Sequence, residues 1–101
     1  MKHNDLFRGL IRLHILYHAV EGDFYGQWMM QELARHGYKI SAGTLYPMLS
    51  AMERNGYLKS KRHRLGRTFR RVYRATALGR SAHKLAKIKV RALLRELIEG
   101  D

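Results

Sequence analysis

Lys59, Lys61, Arg62, Arg64, Arg67, Arg70, Arg71 and Arg74 fall in one stretch of chain that contains no aspartate or glutamate. Ammonium and guanidinium groups gathered without counter-charges suit a polyanion, and each phosphate they neutralise releases a condensed counter-ion. A surface that is only solvated mixes its signs, and this one does not. Just upstream, Leu45, Leu49 and Met52 recur at i, i+4, i+7 with Met48 beside them, which places them on one face of a helix. Gly43, Thr44, Tyr46, Pro47, Ser50, Ala51 and Arg54 take the other side, which is small, hydroxylated, lightly cationic and free of carboxylates. Such a face approaches a polyanion closely, and a hydroxyl at a helix N-terminus meets a phosphate. Ser41, Gly43, Thr44, Tyr46, Pro47, Ser50 and Arg54 are therefore candidate nucleic-acid contacts. Lys61, Arg62, Arg64 and Arg67 are the candidate phosphate contacts of the basic stretch.

Other chemistry is less well supplied. His14 and His18 stand at i, i+4 with Glu21 near, a spacing that chelates zinc. The remaining histidines, His3, His36, His63 and His83, lie on other segments, and there is no cysteine. A structural zinc takes four protein ligands, so no metal or cofactor is expected. No glycine-rich phosphate loop, carboxylate pair or nucleophile–base set is visible, and 8 Asp and Glu leave few general acids. An enzyme is not expected. Trp28, the single tryptophan, reads first as a packing residue. With Met29 and Met30 beside it, it also suits the wall of an adaptable pocket at a dimer centre, where a flat aromatic effector stacks.

The elements that position these groups follow from periodicity and punctuation. A chain of 101 residues with 46% hydrophobic content fits one folded domain, not a disordered one. The net charge of +12 favours nucleic acid first and an anionic membrane second as partner. No apolar run approaches the ~18 residues of a membrane span. Arg8 and Arg12 interrupt the apolar residues near the start, unlike a signal peptide. Without cysteine, a reducing cytoplasm is the expected compartment.

A first helix is predicted over residues 5–20, with Asp5 as N-cap and Leu6, Leu10, Leu13 and Tyr17 along one face. Gly9 inside it suggests close approach of another backbone. A second helix is predicted over residues 27–36, closed by Gly37, and a third before Gly56. Ser41 and Thr44 both qualify as the cap of the third, and Pro47 favours Thr44 because proline is tolerated in a first turn. Two short helices so joined suit a helix-turn-helix. Residues 57–65 and 69–75 read as strands around a glycine turn, with Phe69, Tyr73 and Ala75 facing inward. Thr76 caps a last helix over residues 77–99, whose apolar stripe exceeds what so short a chain covers. A second copy of the chain is the economical cover.

The residues that carry this reading also resemble the PadR family of transcriptional regulators. The similarity runs through Leu6-Phe7-Arg8-Gly9-Leu10, Ile15-Leu16, Glu21-Gly22 and Tyr25-Gly26. It continues through Ser41-Ala42-Gly43-Thr44-Leu45-Tyr46-Pro47-Met48-Leu49 and Glu53-Arg54-Asn55-Gly56-Tyr57-Leu58, then Gly66-Arg67, Arg70-Arg71-Val72-Tyr73-Arg74-Ala75-Thr76 and Leu78-Gly79-Arg80. Gln27, Ala42 and Ala75 stand where the family commonly has Tyr, Pro and Leu. The resemblance implies a mainly α fold with a small β-hairpin: a winged helix-turn-helix DNA-binding domain over residues 1–76 and a single C-terminal dimerisation helix over residues 77–101. It also implies a homodimer on a palindromic double-stranded DNA site, repression, and release by a small ligand. A winged-helix module that binds RNA or another protein is the alternative.

Overall fold

The computed structural model describes residues 3–100; Met1, Lys2 and Asp101, which belong to the predicted terminal segments, lie outside them. Helix α1 spans Asn4–Glu21, strand β1 Phe24–Tyr25, helix α2 Gly26–Arg35 and helix α3 Ala42–Arg54. Strands β2, Leu58–Leu65, and β3, Thr68–Ala75, lead to helix α4, Ala77–Leu94, which ends in a π-helical turn, Arg95–Glu99. The three strands form one antiparallel sheet in the order β1-β3-β2.

The core is built where the α-periodicity places it. Ile11, Ile15, Leu16 and Ala19 of α1 meet Met29 and Leu33 of α2, Leu45, Met48, Leu49 and Met52 of α3, and Leu58, Tyr73 and Ala75 of the sheet. Gly37 and Gly56, at φ +89 and +87, take the left-handed conformation that ends α2 and α3. The amides of Tyr38 and Tyr57 then donate back to Leu33 and Met52. Gly66, at φ +63, opens the two-residue turn between β2 and β3, where glycine tolerates a positive φ at the first position.

Several expectations are corrected. Asp5 is not the cap of α1: the helix begins one residue earlier behind His3, and Asp5 sits in the first turn, 3.4 Å from Arg8. A carboxylate there is favoured by the positive end of the helix dipole. Ser41, not Thr44, is the N-cap of α3, and its carbonyl accepts from the amides of Thr44 and Leu45. Pro47 consequently lies inside the helix and has no N–H for the Gly43 carbonyl four residues before it. Gly9 meets no other backbone among the described residues. Phe69 has the inward parity of Tyr73 and Ala75 but is 51% exposed, because the hairpin there extends beyond the body it packs on.

Among the described residues Glu32 is the buried carboxylate, and it joins α1 to α2. It accepts from His36 Nε2 at 3.2 Å and Arg35 Nη1 at 3.0 Å, and His18 Nε2 lies 3.3 Å away. His14 completes the group, its ring 4.5 Å from that of His36 and edge-on to Tyr38. Among the described residues no three His, Asp or Glu side chains are arranged to hold a metal ion. Burial, then the neighbouring His36 and His18, hold His14 below the ordinary imidazole value of 6.5, with Glu32 opposing. The unfolded chain therefore binds the His14 proton first, and stability falls as pH drops below that ordinary value. Burial pushes the Glu32 carboxyl up, but the His36 hydrogen bond and the Arg35, His18 and His36 charges outweigh it. Its contribution is lost only in the carboxylate range, so the two windows separate. The melting temperature is expected to fall between about pH 7 and pH 5, and His14→Gln to flatten that fall. Equal pH dependence of wild type and variant would contradict the assignment.

Candidate nucleic-acid interface

On α3, Gly43, Pro47, Ser50 and Arg54 recur at i, i+4, i+7, i+11, and all are exposed. They form a straight outer stripe opposite the buried Leu45, Leu49 and Met52. Thr44 flanks the stripe and accepts a long hydrogen bond from Ser41 Oγ at 3.4 Å. Tyr46 flanks the other side. A Cβ on Gly26 would fall 2.6 Å from its ring, so the missing side chain at the start of α2 lets the Tyr46 ring approach that backbone closely. The side chains named from sequence on this helix thus share one accessible surface.

Arg8 and Arg12 of α1 extend that surface, and both line a recess of about 340 Å³ with Gly43, Thr44, Pro47, Met48 and Ala51. Neither is among the contacts that the sequence marks. Their i, i+4 spacing puts them on one face of α1, but nothing local says which helix that face meets.

The hairpin register divides the basic residues into two faces. Directly paired residues share a face, so Arg62 and Arg71, and Arg64 and Phe69, lie on the side of Ser60 and Tyr73 that faces the body. Lys59, Lys61, His63, Arg70 and Arg74 lie on the opposite face. Lys61 is therefore separated from Arg62 and Arg64, with which the sequence groups it.

Each cation is also held differently. The Arg62 guanidinium stands 4.2 Å from the centre of the Phe69 ring, and Arg64 Nε donates to the Gly66 carbonyl at 3.0 Å. These contacts leave other N–H groups of both side chains available for phosphate. Arg67 is exposed at the turn. Arg74, by contrast, is neutralised by Asp23 at 3.0 Å. Tyr25 stacks on His63 and hydrogen-bonds its Nδ1, tying β1 to the hairpin.

Helix and hairpin are joined through a hydroxyl. Ser60 Oγ donates to the Glu53 carboxylate, with Oε1 at 2.9 Å and Oε2 at 2.8 Å, and accepts from Arg71 Nη1 at 3.1 Å. Glu53 belongs to the last turn of α3, so this bridge fixes the hairpin against the stripe-bearing helix. The spacing of Glu53, Ser60 and Arg71 in sequence gives no sign of it.

Trp28 and Met29 are placed differently in the protomer. Met29 is fully buried in the core. Trp28 is 45% exposed and borders a recess of about 370 Å³ with His18, Phe24 and Tyr25. A larger apolar groove, about 620 Å³, lies between α1 and α4, and Trp28 is not among its walls.

Residues 15–85 match the family described as Transcriptional regulator PadR-like family. The Transcriptional regulator Rv3488 of Mycobacterium tuberculosis (strain ATCC 25618 / H37Rv) is 45% identical over 94 residues, which span 93% of this chain and 88% of that protein. Among solved structures, a PadR family transcriptional regulator from Eggerthella lenta DSM 2243 is 30% identical with a TM-score of 0.81, over 92% of this chain and 82% of that one. A transcriptional regulator from Clostridium thermocellum, Cth-833, is also 30% identical, with a TM-score of 0.79 over 95% and 96% of the two chains.

Proposed function

The chain belongs to the PadR-like family of transcriptional regulators, and on that premise we propose that it is a dimeric repressor that binds a palindromic DNA operator and is released by a small aromatic ligand. In this reading α3 enters the major groove, with Thr44, Tyr46, Pro47 and Ser50 toward base edges and Ser41, Gly43 and Arg54 along the backbone. The wing formed by β2 and β3 brings Arg62, Arg64 and Arg67 to phosphate, and Lys61 follows from the outer face. The carrying observation is that the carboxylate-free stripe of α3 and the guanidinium face of the wing are locked side by side through Glu53, Ser60 and Arg71. Selection of bound duplexes from a random pool tests it. The expected product has two-fold symmetry, with half-sites about 10 base pairs apart or a multiple of that. Selection of RNA, or of duplexes without symmetry, would contradict it.

Dimerisation is supported by apolar surface that the protomer leaves open. Leu6, Leu10 and Leu13 of α1 and Ala86, Val90 and Leu93 of α4 line the large groove, and Leu93, Leu94, Leu97 and Ile98 are exposed. In this arrangement residues 77–101 are the dimerisation element and residues 1–76 the DNA-binding unit. Sedimentation at micromolar concentration is expected to give a dimer. Leu93→Asp with Leu97→Asp is expected to give a folded monomer, since both side chains are exposed in the protomer and only the interface would bury the new charges. A monomeric wild type would remove the dimer and the palindrome together.

The ligand rests on Trp28, half-exposed over the recess with Phe24 and Tyr25. A planar aromatic compound that stacks there should quench Trp28 fluorescence and weaken operator binding, because an effector must favour one state over another. A broad panel that does neither would remove this part of the proposal.

A further inference from the structure

Arg80, Lys84, Lys87 and Arg91 recur along α4 at i, i+4, i+7, i+11, so they form one straight ridge about 16 Å long. Arg95 follows at the start of the π-helical turn. All five are exposed, the segment Ala77–Arg95 contains no acid, and none of the five makes an ion pair among the described residues. The face of α4 that lines the groove against α1 carries Ala82, Ala86, Val90 and Leu93, with Lys89 among them. By helical spacing the ridge lies roughly opposite, turned away from the domain body.

This arrangement opposes the stability of the helix that carries it. Like charges three and four residues apart repel along the helix surface, and the segment Ala77–Arg95 holds no carboxylate to relieve them. Arg80 also stands in the first turns, where the helix dipole disfavours a cation. A local rule broken repeatedly with no compensation inside the chain marks a surface matched to something outside it. The matching partner is a line of negative charge. A membrane-surface helix presents its apolar stripe to the lipid with the cations above it. Here Ala82, Ala86, Val90 and Leu93 are turned toward the α1 groove, and the cations stand in one straight line on the other side, so a rigid polyanion fits better than a bilayer.

We propose that the α4 ridge is a second phosphate-binding surface, which holds another segment of duplex DNA while α3 and the wing engage the operator. Two such ridges on a dimer would bridge the operator to neighbouring DNA without reading its sequence, since the contacts are to backbone alone.

The test uses an immobilised operator duplex saturated with full-length protein, washed, and challenged with a labelled duplex that lacks the operator. Wild type is expected to capture the second duplex, and to release it steeply as salt rises. The variant Lys84→Gln, Lys87→Gln, Arg91→Gln is expected to bind operator as wild type does and to capture at least ten-fold less second duplex. Glutamine keeps the helix propensity, and the loss of repulsion should raise the melting temperature, a readout independent of DNA. No capture by wild type, or undiminished capture by the variant, would overturn the proposal. So would ridge-dependent capture of phosphatidylserine vesicles in place of duplex. Loss of operator binding by wild type in the first step would instead reject the regulatory reading on which the second surface builds.

Discussion

Gly79→Ala is expected to destabilise the fold, against the sign that helix propensity predicts. Gly79 lies in the first turn of α4, and its amide donates to the Thr76 cap hydroxyl at 3.0 Å. A Cβ there would collide with the backbone carbonyl oxygen of Tyr57 and press on Leu16 Cδ1 at 3.4 Å. That carbonyl also accepts from the Thr76 amide at 3.1 Å, and the Thr76 hydroxyl reaches the Gly56 carbonyl. One methyl group therefore pushes apart the end of α3, the start of β2 and the start of α4. Overpacking costs about 1–3 kcal/mol and a disturbed cap about 1 more. In a domain this small each kcal/mol lowers the melting temperature by about 4–8 °C. Propensity alone would make alanine stabilising by roughly 0.5–1 kcal/mol. A thermal melt decides: a variant as stable as wild type would mean that α4 does not sit on Tyr57.

The same knot illustrates what the sequence discloses and what it does not. Thr76 as a cap, Gly37 and Gly56 as helix stops, and the inner face of Leu45, Leu49 and Met52 are local signals, and each stands in the structure where its type and spacing put it. Strand β1 was not legible, because Phe24 and Tyr25 are a strand only through pairing with Tyr73 and Val72 far along the chain. The cap of α3 misled for a related reason. Proline favoured a later start, but burial of Leu45 and the carbonyl of Ser41 hold the helix open one turn earlier. Among the candidate contacts, spacing found the stripe on α3. It gives no sign of Arg8 and Arg12, which border the stripe from α1, nor of the Asp23 carboxylate that pairs with Arg74 of the basic stretch from fifty-one positions away. His36 looked remote from His14 and is its ring neighbour. In each case the missing fact was a tertiary contact with no local trace.

In the proposed reading the wing carries charge and α3 carries small polar groups, so variants in the two should fail in different ways. The measurement is a salt titration of each variant on operator and on random duplex. Arg64→Gln with Arg67→Gln removes about two phosphate contacts per protomer, or about four per dimer. The dependence of log affinity on log salt should flatten by roughly 0.9 for each of these phosphates, and affinity near 0.1 M salt should fall on the order of 10³-fold on both duplexes alike. Thr44→Ala and Ser50→Ala should leave the slope nearly unchanged and narrow the gap between operator and random DNA by roughly 1–3 kcal/mol for each base-edge interaction removed. If the arginine variant loses discrimination at an unchanged slope, while the helix variants lose affinity equally on both duplexes, the roles proposed for wing and helix are contradicted.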